Sequence, residues 1–563
     1  MNGLQSLDTS LFRWINSSLA NPVMDWLMPF LSGNPFYVPA LLCILGWLIW
    51  KGGARGRICA FCVILAIALG DGVICKLIKD TVGRARPFVQ LEGVRLLVGR
   101  GGSKSMPSSH AANSFAIVMA FYVFYRRSWR FTLPLAVAIS FSRVYNGVHF
   151  PTDVLAGAIL GAGYTAGGIW ALNRAWIFWG SRFLPLWWNH LPSLIELDAP
   201  PVPVNPPRPA GGVILEQHWI RVGHLMILLL LAAQLGYLAL GKIELSEDEA
   251  YQWLWSKHPA LSYYSKPPLI AWTQWLGTHL WGDTAFGVRF FSPVIASVLG
   301  WVTLRFFAGQ GRARTGFWVV LALTATPMLA AGSILMTIDP LLVLFWTLGM
   351  LAGWRAVQPE GRTQDWALSG FWLGLALLSK YTALFQLASW AVFFAIWPPA
   401  RAHLRRAGPW LALGIATLCL TPVLVWNASH DWITIQHVAN DGKLGETWQP
   451  KAQFFWDFAA SEIFLLNPFF VILLLLAARR GVQQARDPLD SFLFWMGAPV
   501  FLFYLAFTLH SRVLPNWIAP CVLPFFSLGR VALAAIAGEL AAAGACIIGR
   551  RAGGGIAGGG FAA

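Results

Sequence analysis

Three short polar segments interrupt the apolar first third of this 563-residue chain: Lys79-Asp-Thr-Val-Gly-Arg-Ala-Arg86-Pro87, Pro107-Ser108-Ser109-His110, and Ser142-Arg143-Val-Tyr-Asn-Gly-Val-His149-Phe-Pro-Thr-Asp153. They supply the residue types that phosphoryl transfer needs. A trigonal-bipyramidal phosphorus carries its charge on equatorial oxygens, which Lys79, Arg86 and Arg143 can neutralise. Ser108, Ser109 and the free backbone amides at the start of a helix beginning near residue 110 add phosphate donors. His149 is the candidate nucleophile, with Asp153 holding its other ring nitrogen and fixing the tautomer. His110 is placed to protonate the leaving oxygen and then to activate water. Cations do the charge work, so this site is expected to need no cofactor.

A second polar constellation follows residue 240. It reads Glu247-Asp248-Glu249-Ala-Tyr251-Gln-Trp253-Leu-Trp255, then Tyr263-Tyr264-Ser265-Lys266-Pro267-Pro268. Adjacent carboxylates followed by aromatic rings suit a sugar hydroxyl and a polarised leaving group. Asp248 is a candidate general base, or a ligand for a divalent cation. Lys266, in a rigid Pro-Pro context, is a candidate phosphate partner. Thr337-Ile-Asp339-Pro340, Ser379-Lys380-Tyr381, Trp426-Asn427 and Pro515-Asn516-Trp517 are further polar points at the ends of apolar runs. Trp253, Trp255, Trp426 and Trp432 fit interface anchors better than a binding site.

The elements that must hold these residues are membrane helices. Hydrophobic residues make up 57% of the chain and charged residues 12%, against roughly 25% charged in a soluble domain. Candidate spans fall near 23–31, 36–50, 58–78, 110–125, 131–148 and 154–172. After a proline-dense stretch come 222–240, 285–307, 316–332, 340–354, 366–379, 382–397, 409–426, 453–478, 490–509, 513–529 and 531–549. The net charge of +16 is not a nucleic-acid surface, because Lys and Arg cluster between spans rather than on one face. With the loop at 51–57 inside the cell, the clusters at 126–130, 305–314, 401–406 and 479–486 and the proline stretch also fall inside. The loops at 79–109, 149–153, 241–284, 427–452 and 510–516 then fall outside, with both polar constellations; Arg550/Arg551 is the exception. The helices 110–125 and 131–148 form a hairpin that returns His110 and His149 to one face. Cys59 and Cys62 have CxxC spacing, yet they lie in an apolar run and read as buried small side chains.

The motifs K-x6-RP, PS-x-H and SR-x5-H-x3-D at 79–87, 107–110 and 142–153 resemble the type 2 phosphatidic acid phosphatase superfamily over roughly residues 1–175. Ser109 stands where the family most often has glycine. This resemblance implies hydrolysis of a lipid phosphate or pyrophosphate. Residues 216–535 resemble membrane glycosyltransferases of the GT-C fold, in the branch of dolichyl-phosphate-mannose-protein mannosyltransferases and lipid A aminoarabinose transferases. The matching marks are Asp248-Glu249-Ala-Tyr251, Tyr264-Ser-Lys266-Pro-Pro-Leu, Ile338-Asp339-Pro340-Leu, Leu378-Ser-Lys380-Tyr, Trp426-Asn427 and Pro515-Asn516-Trp517. This second resemblance implies a polyprenyl-phosphate sugar donor. It also makes Asp248 the catalytic carboxylate, Lys266 the carrier-phosphate ligand and Asp339 a second loop acid, with Glu249, Tyr251, Tyr264 and Lys380 in substrate contacts.

The expected fold is therefore an all-α, polytopic integral membrane protein: a six-helix lipid phosphatase bundle at 1–196, a Pro-rich cytoplasmic linker at 197–215, and a GT-C multi-span glycosyltransferase core at 216–563. The expected setting is a bacterial inner membrane with both sites on the periplasmic face. The expected partners are a lipid phosphate, a polyprenyl-phosphate sugar and membrane lipids, with lipid A a candidate acceptor. The sequence leaves open an undecaprenyl pyrophosphate phosphatase joined to a transferase with another acceptor, a transferase with a lipid-binding N-terminal domain, and a flippase. The last needs polar or broken helices at the bilayer midplane, whereas the polar signals here lie at helix ends.

Overall fold

The structure, a computed structural model, describes residues 3–102, 104–197, 211–441, 450–468, 471–472, 475 and 488–529. All regular structure among them is helical. The chain divides into two compact units, Met1–Arg208 and Pro209–Ala563. Among the described residues five helices are long and apolar enough to cross a membrane, or up to eight if each bent pair is one span.

In the first unit the sequence places no helix before residue 23, but Gly3–Arg13 is helical. Its Phe12 is fully buried against Phe150, ring centroids 5.4 Å apart. Helices Pro22–Ser32 and Asn34–Lys51 follow. Gly53–Leu69 passes through a π-helical stretch, Gly70–Cys75, into Lys76–Val82, and ends on Gly83 at φ 64°. That conformation is cheap only for glycine, and Pro87 prevents the helix from resuming earlier. Ser109–Phe124 and Trp129–Tyr145 form the expected hairpin, joined by Arg126–Ser128, and Pro151–Ala175 runs back beside them. A side chain at Gly157 would overlap the Ser108 carbonyl, and one at Gly161 the Ala112 carbonyl. Small residues thus let Ser109–Phe124 and Pro151–Ala175 touch backbone to backbone, which brings their N-terminal ends together. Each expected span corresponds to a helix, but not to six full-length spans. Ser109–Phe124 and Trp129–Tyr145 have 16 and 17 residues, and the first two helices form a bent pair.

The second unit opens with the helix Gly211–Ala239, so the linker ends before residue 211 rather than at 215. Pro209 is the last proline of the dense stretch, and nothing after it prevents the helix from starting. Positions 198–210, the span at 531–549 and the basic cluster at 479–486 lie outside the described residues. The expected outer loop at 241–284 contains two helices, Glu247–Ser256 and Leu269–Trp281. The first has a reciprocal cap: the Ser246 side chain accepts from the Glu249 amide while the Glu249 carboxylate accepts from Ser246 N. Ser-x-x-Glu was a legible start signal that the loop assignment overlooked. Ile338–Ala356, Thr363–Ser379 and Ala407–Cys419 pack side by side, with Gly370 against the Ala412 backbone and Gly374 against Cys419. Trp346, Phe393, Phe492 and Phe526 fill the core of this unit.

Candidate functional sites

The first site sits where the N-terminal ends of Ser109–Phe124 and Pro151–Ala175 meet the turn after Trp129–Tyr145. Ser108 N donates to the Asp153 carbonyl at 3.0 Å, tying two of the three motifs together through backbone alone. His149 is buried in that turn, with Nδ1 3.7 Å from Asp153 Oδ2. This is longer than the direct hydrogen bond expected. The hydroxyl of Ser105 accounts for the gap: it donates to Asp153 Oδ2 at 2.5 Å and lies 3.5 Å from His149 Nδ1. A carboxylate only accepts, so Nδ1 carries the proton and Nε2 keeps a free lone pair for attack. Burial, helped by the Arg86 and Arg143 guanidinium groups, lowers the His149 pKa from 6.5 to about 4, while Asp153 pulls the other way. The imidazole is neutral at pH 7, as a nucleophile must be.

Each of the three cations of the motifs is held by a separate partner. Lys79 Nζ donates to Ser109 Oγ at 2.6 Å, Arg86 donates to the Val148 carbonyl at 3.3 Å, and Arg143 donates to the Ser32 hydroxyl. The Ser108 hydroxyl is buried and makes no hydrogen bond, which suits a donor reserved for phosphate. Sequence reasoning missed three residues. Arg84 donates to Asp153 Oδ1 at 2.8 Å and to Asp8 Oδ2 at 2.6 Å, and its guanidinium lies 4.2 Å from the Phe150 ring centroid. Asp8, buried in the N-terminal helix, also accepts from Thr152 N and Oγ1 at 3.0 and 2.6 Å. With Ser105 these fix the Asp153 carboxylate from both sides. Arg84 was legible as a third cation inside the first motif; Asp8 and Ser105 carried no such signal. Ser105→Ala removes one hydrogen bond to a charged group, worth about 1.5–3 kcal/mol. We expect kcat for phosphate release to fall roughly 10- to 100-fold with KM little changed. An unaltered kcat removes Ser105 from the site.

The second site is a cavity of about 860 Å³ in the other unit. Asp248, Lys266, Asp339, Lys380 and Asn516 line one part of it, and Ile227, Leu230, Leu299, Val320 and Leu323 line an apolar part. Five separate sequence marks thus meet in one cavity that has room for a charged headgroup and a hydrocarbon chain. Asp248 is exposed to it and makes no hydrogen bond or ion pair among the described residues. Asp339 is occupied: Lys380 Nζ donates to Oδ1 and Asn516 Nδ2 to Oδ2, each at 2.7 Å.

Three expected contacts are corrected. Glu249 is fully buried and bonded on both oxygens: Arg289 donates from Nε and Nη2 at 2.7 and 2.6 Å, Met336 N at 2.9 Å and Ser246 N at 3.0 Å. It positions neighbouring segments and has no oxygen left for substrate. Burial pulls its pKa up, but the Arg289 guanidinium and the Ser246 and Met336 amides outweigh that and hold it below the usual value. Tyr251 and Tyr264 do not line the cavity. Asp248 and Gln252, four residues apart, share the cavity face of their helix, which turns the Tyr251 ring onto Trp255, centroids 4.4 Å apart. Tyr264 packs on His437 at 4.6 Å. Arg289 was not foreseen, and a single arginine among apolar residues gave no signal for it.

A divalent cation finds little to bind here. Asp339 has both oxygens engaged, and no group of three His, Cys, Asp or Glu suited to a metal occurs among the described residues. No step is therefore routed through one, and Asp248 stands as the carboxylate available to take a proton. Asp248→Asn keeps the shape and removes the base, so sugar transfer should drop roughly 10²- to 10⁴-fold. Transfer within threefold of the parent overturns that role.

Helical packing and a neutral buried histidine among cations mark a membrane protein of the lipid-phosphatase class, whose second unit holds a lipid-sized cavity with a free carboxylate. The chain belongs to the PAP2 superfamily, whose model matches residues 58–177, and the dolichyl-phosphate-mannose-protein mannosyltransferase model matches residues 265–426. It is 33% identical over 173 residues to a lipid A 4'-phosphatase of Bacteroides thetaiotaomicron, covering 28% of this chain and 73% of that one. It is 32% identical over 164 residues to a putative undecaprenyl-diphosphatase, YbjG, of Escherichia coli, covering 28% and 79%. Against the lipid A galacturonosyltransferase RgtD of Rhizobium johnstonii it is 30% identical over 278 residues, covering 48% of this chain and 56% of the relative. The chain thus spans little more than half the length of that transferase.

Proposed function

We propose that this chain is a bifunctional enzyme of a bacterial inner membrane, with both sites on the periplasmic face. The first unit removes a phosphate from lipid A, and the second transfers a sugar from a polyprenyl-phosphate donor to lipid A. The observation that carries this reading is the fusion itself. A unit akin to a lipid A phosphatase and a unit akin to a lipid A glycosyltransferase share one chain, so removal of a phosphate leaves a hydroxyl on the molecule the second unit can use as acceptor. The distribution of basic loops supports the orientation.

In the first step His149 Nε2 attacks phosphorus, the bond from phosphorus to the ester oxygen breaks, and His110 gives that oxygen its proton. Lys79, Arg86 and Arg143 balance the charge on the equatorial oxygens. Water then attacks the phosphohistidine, His110 takes its proton, and inorganic phosphate leaves with His149 restored. In the second unit the acceptor hydroxyl loses its proton to Asp248 as its oxygen bonds to the anomeric carbon. The polyprenyl phosphate departs with the bonding electrons, its charge met by Lys266. The phosphatase needs no cofactor in this scheme.

The test is the mass of lipid A from cells expressing the chain. Loss of one phosphate together with gain of one hexose or uronic acid supports the reading; unchanged lipid A rejects it. A second reading, hydrolysis of undecaprenyl pyrophosphate, is favoured by the similarity to YbjG. Phosphate release by purified protein in EDTA, from lipid A or from undecaprenyl pyrophosphate, separates the two.

A further inference from the structure

Beneath the phosphate cations lies a set of polar side chains that the scheme above does not use. Asp71 is the second residue of the π-helical stretch Gly70–Cys75, inside the apolar span Gly53–Gln90. It is exposed and makes no hydrogen bond or ion pair among the described residues, although its charge lies close enough to act on Lys79, His110 and Tyr164. An unpaired acid within a span is costly, and its default meaning is a polar partner that arrives from elsewhere. Extra-turn stretches of this kind recur at functional sites, because they redirect side chains that a regular helix would hide. Tyr164 lies directly against Gly70: a methyl added there would overlap the tyrosine ring and hydroxyl. The Tyr164 hydroxyl is nevertheless buried without any hydrogen bond. The Asn113 side-chain carbonyl is also buried and unbonded. Asn113 lies three residues past His110, about 4.5 Å further along Ser109–Phe124, the helix that packs against Gly70–Cys75. Asp71 lies about 12 Å along its helix from Lys79, on the membrane side of the phosphate site.

We propose that Asp71, Asn113 and Tyr164 form a hydrogen-bonding subsite for the headgroup-proximal amide and hydroxyl groups of a phosphorylated, N-acylated glycolipid. The inference rests on the phosphatase reading of the first unit and names the substrate class it selects. A carboxylate and an amide carbonyl accept from N–H and O–H groups, and the phenol can donate to an acyl carbonyl. An amino-sugar lipid presents these groups just below its phosphate. A polyprenyl pyrophosphate presents only hydrocarbon there, and would leave a carboxylate, an amide and a phenol unpaired in an apolar setting. That is the arrangement by which a site rejects a ligand lacking the matching polar groups.

The experiment measures phosphate release from lipid A and from undecaprenyl pyrophosphate by the full-length protein and by Asp71→Leu, Asn113→Leu and Tyr164→Phe variants. Asp71→Leu makes the span more apolar, so poor insertion does not explain a loss, and Tyr164→Phe removes a single oxygen. The expected result is a fall of roughly tenfold or more in the ratio of lipid A to undecaprenyl pyrophosphate hydrolysis for each variant. An unchanged ratio overturns the subsite, whether both rates stay constant or fall together. If the parent releases phosphate from undecaprenyl pyrophosphate but none from lipid A, the lipid A reading itself fails and takes the subsite with it.

Discussion

Phosphate release in the presence of EDTA should fall by roughly 10⁴-fold or more when His149 is replaced by alanine, because the group that bonds to phosphorus is gone. The cations and Ser108 stay in place, so lipid phosphate should still bind with near-parental affinity. A variant that fails to release phosphate yet binds the lipid separates chemistry from folding. Residual release above one per cent of the parent rate would show that another group attacks. The pH dependence follows from the same burial. His149 is lowered from 6.5 to about 4, so the acid limb of activity should lie below pH 6.5, towards 4. An acid limb at or above 6.5 contradicts a buried, neutral His149 as the nucleophile. Stability should move with the same proton. Between about pH 4 and 6.5 the unfolded chain binds a proton that the native imidazole rejects, so stability rises with pH across that window and acid reduces it.

The second large effect is expected at Glu249, which touches no substrate. Its carboxylate joins the helix that carries Asp248 to Arg289 and to the Met336 amide, three residues before Asp339. Glu249→Ala leaves the Arg289 guanidinium buried with its ion partner missing, a change that costs about 3–5 kcal/mol. It also frees Met336 and the cap at Ser246. We expect a clear fall in melting temperature together with sugar transfer reduced below a hundredth of the parent rate. Glu249→Gln keeps most of the hydrogen bonds but not the charge, and should fall between. Replacing both partners by methionine should restore much of the stability, because no uncompensated charge remains, but not transfer. If Glu249→Ala keeps its stability and loses only transfer, the residue acts on substrate after all. Because its pKa is held low, the stability it contributes is present above pH 4.5 and is lost as pH falls through the lowered value.

The chemistry of the first unit was written in residue types and spacing. Lys79, Arg86, Ser108, His110, Arg143, His149 and Asp153 fall within short motifs at helix ends, and a hairpin of known rise had to return both histidines to one face. The membrane helices were equally legible, because the bilayer demands long apolar runs and leaves its mark in every window. What a linear reading could not supply were partners that join across the fold. Asp8 reaches Arg84 over 76 positions, and Asn516 reaches Asp339 over 177. Nothing local to one end names its partner at the other.

The roles of adjacent residues were likewise decided only in three dimensions. Asp248 and Glu249 are neighbours of similar chemistry, yet a helix turns successive side chains by about 100°, so one faces the cavity and the other the core. The sequence by itself determined which residues could do chemistry and that they lie at the ends of membrane helices. The tertiary structure decided which of them remain free to do it, because a carboxylate already bonded on both oxygens has nothing left to offer a substrate.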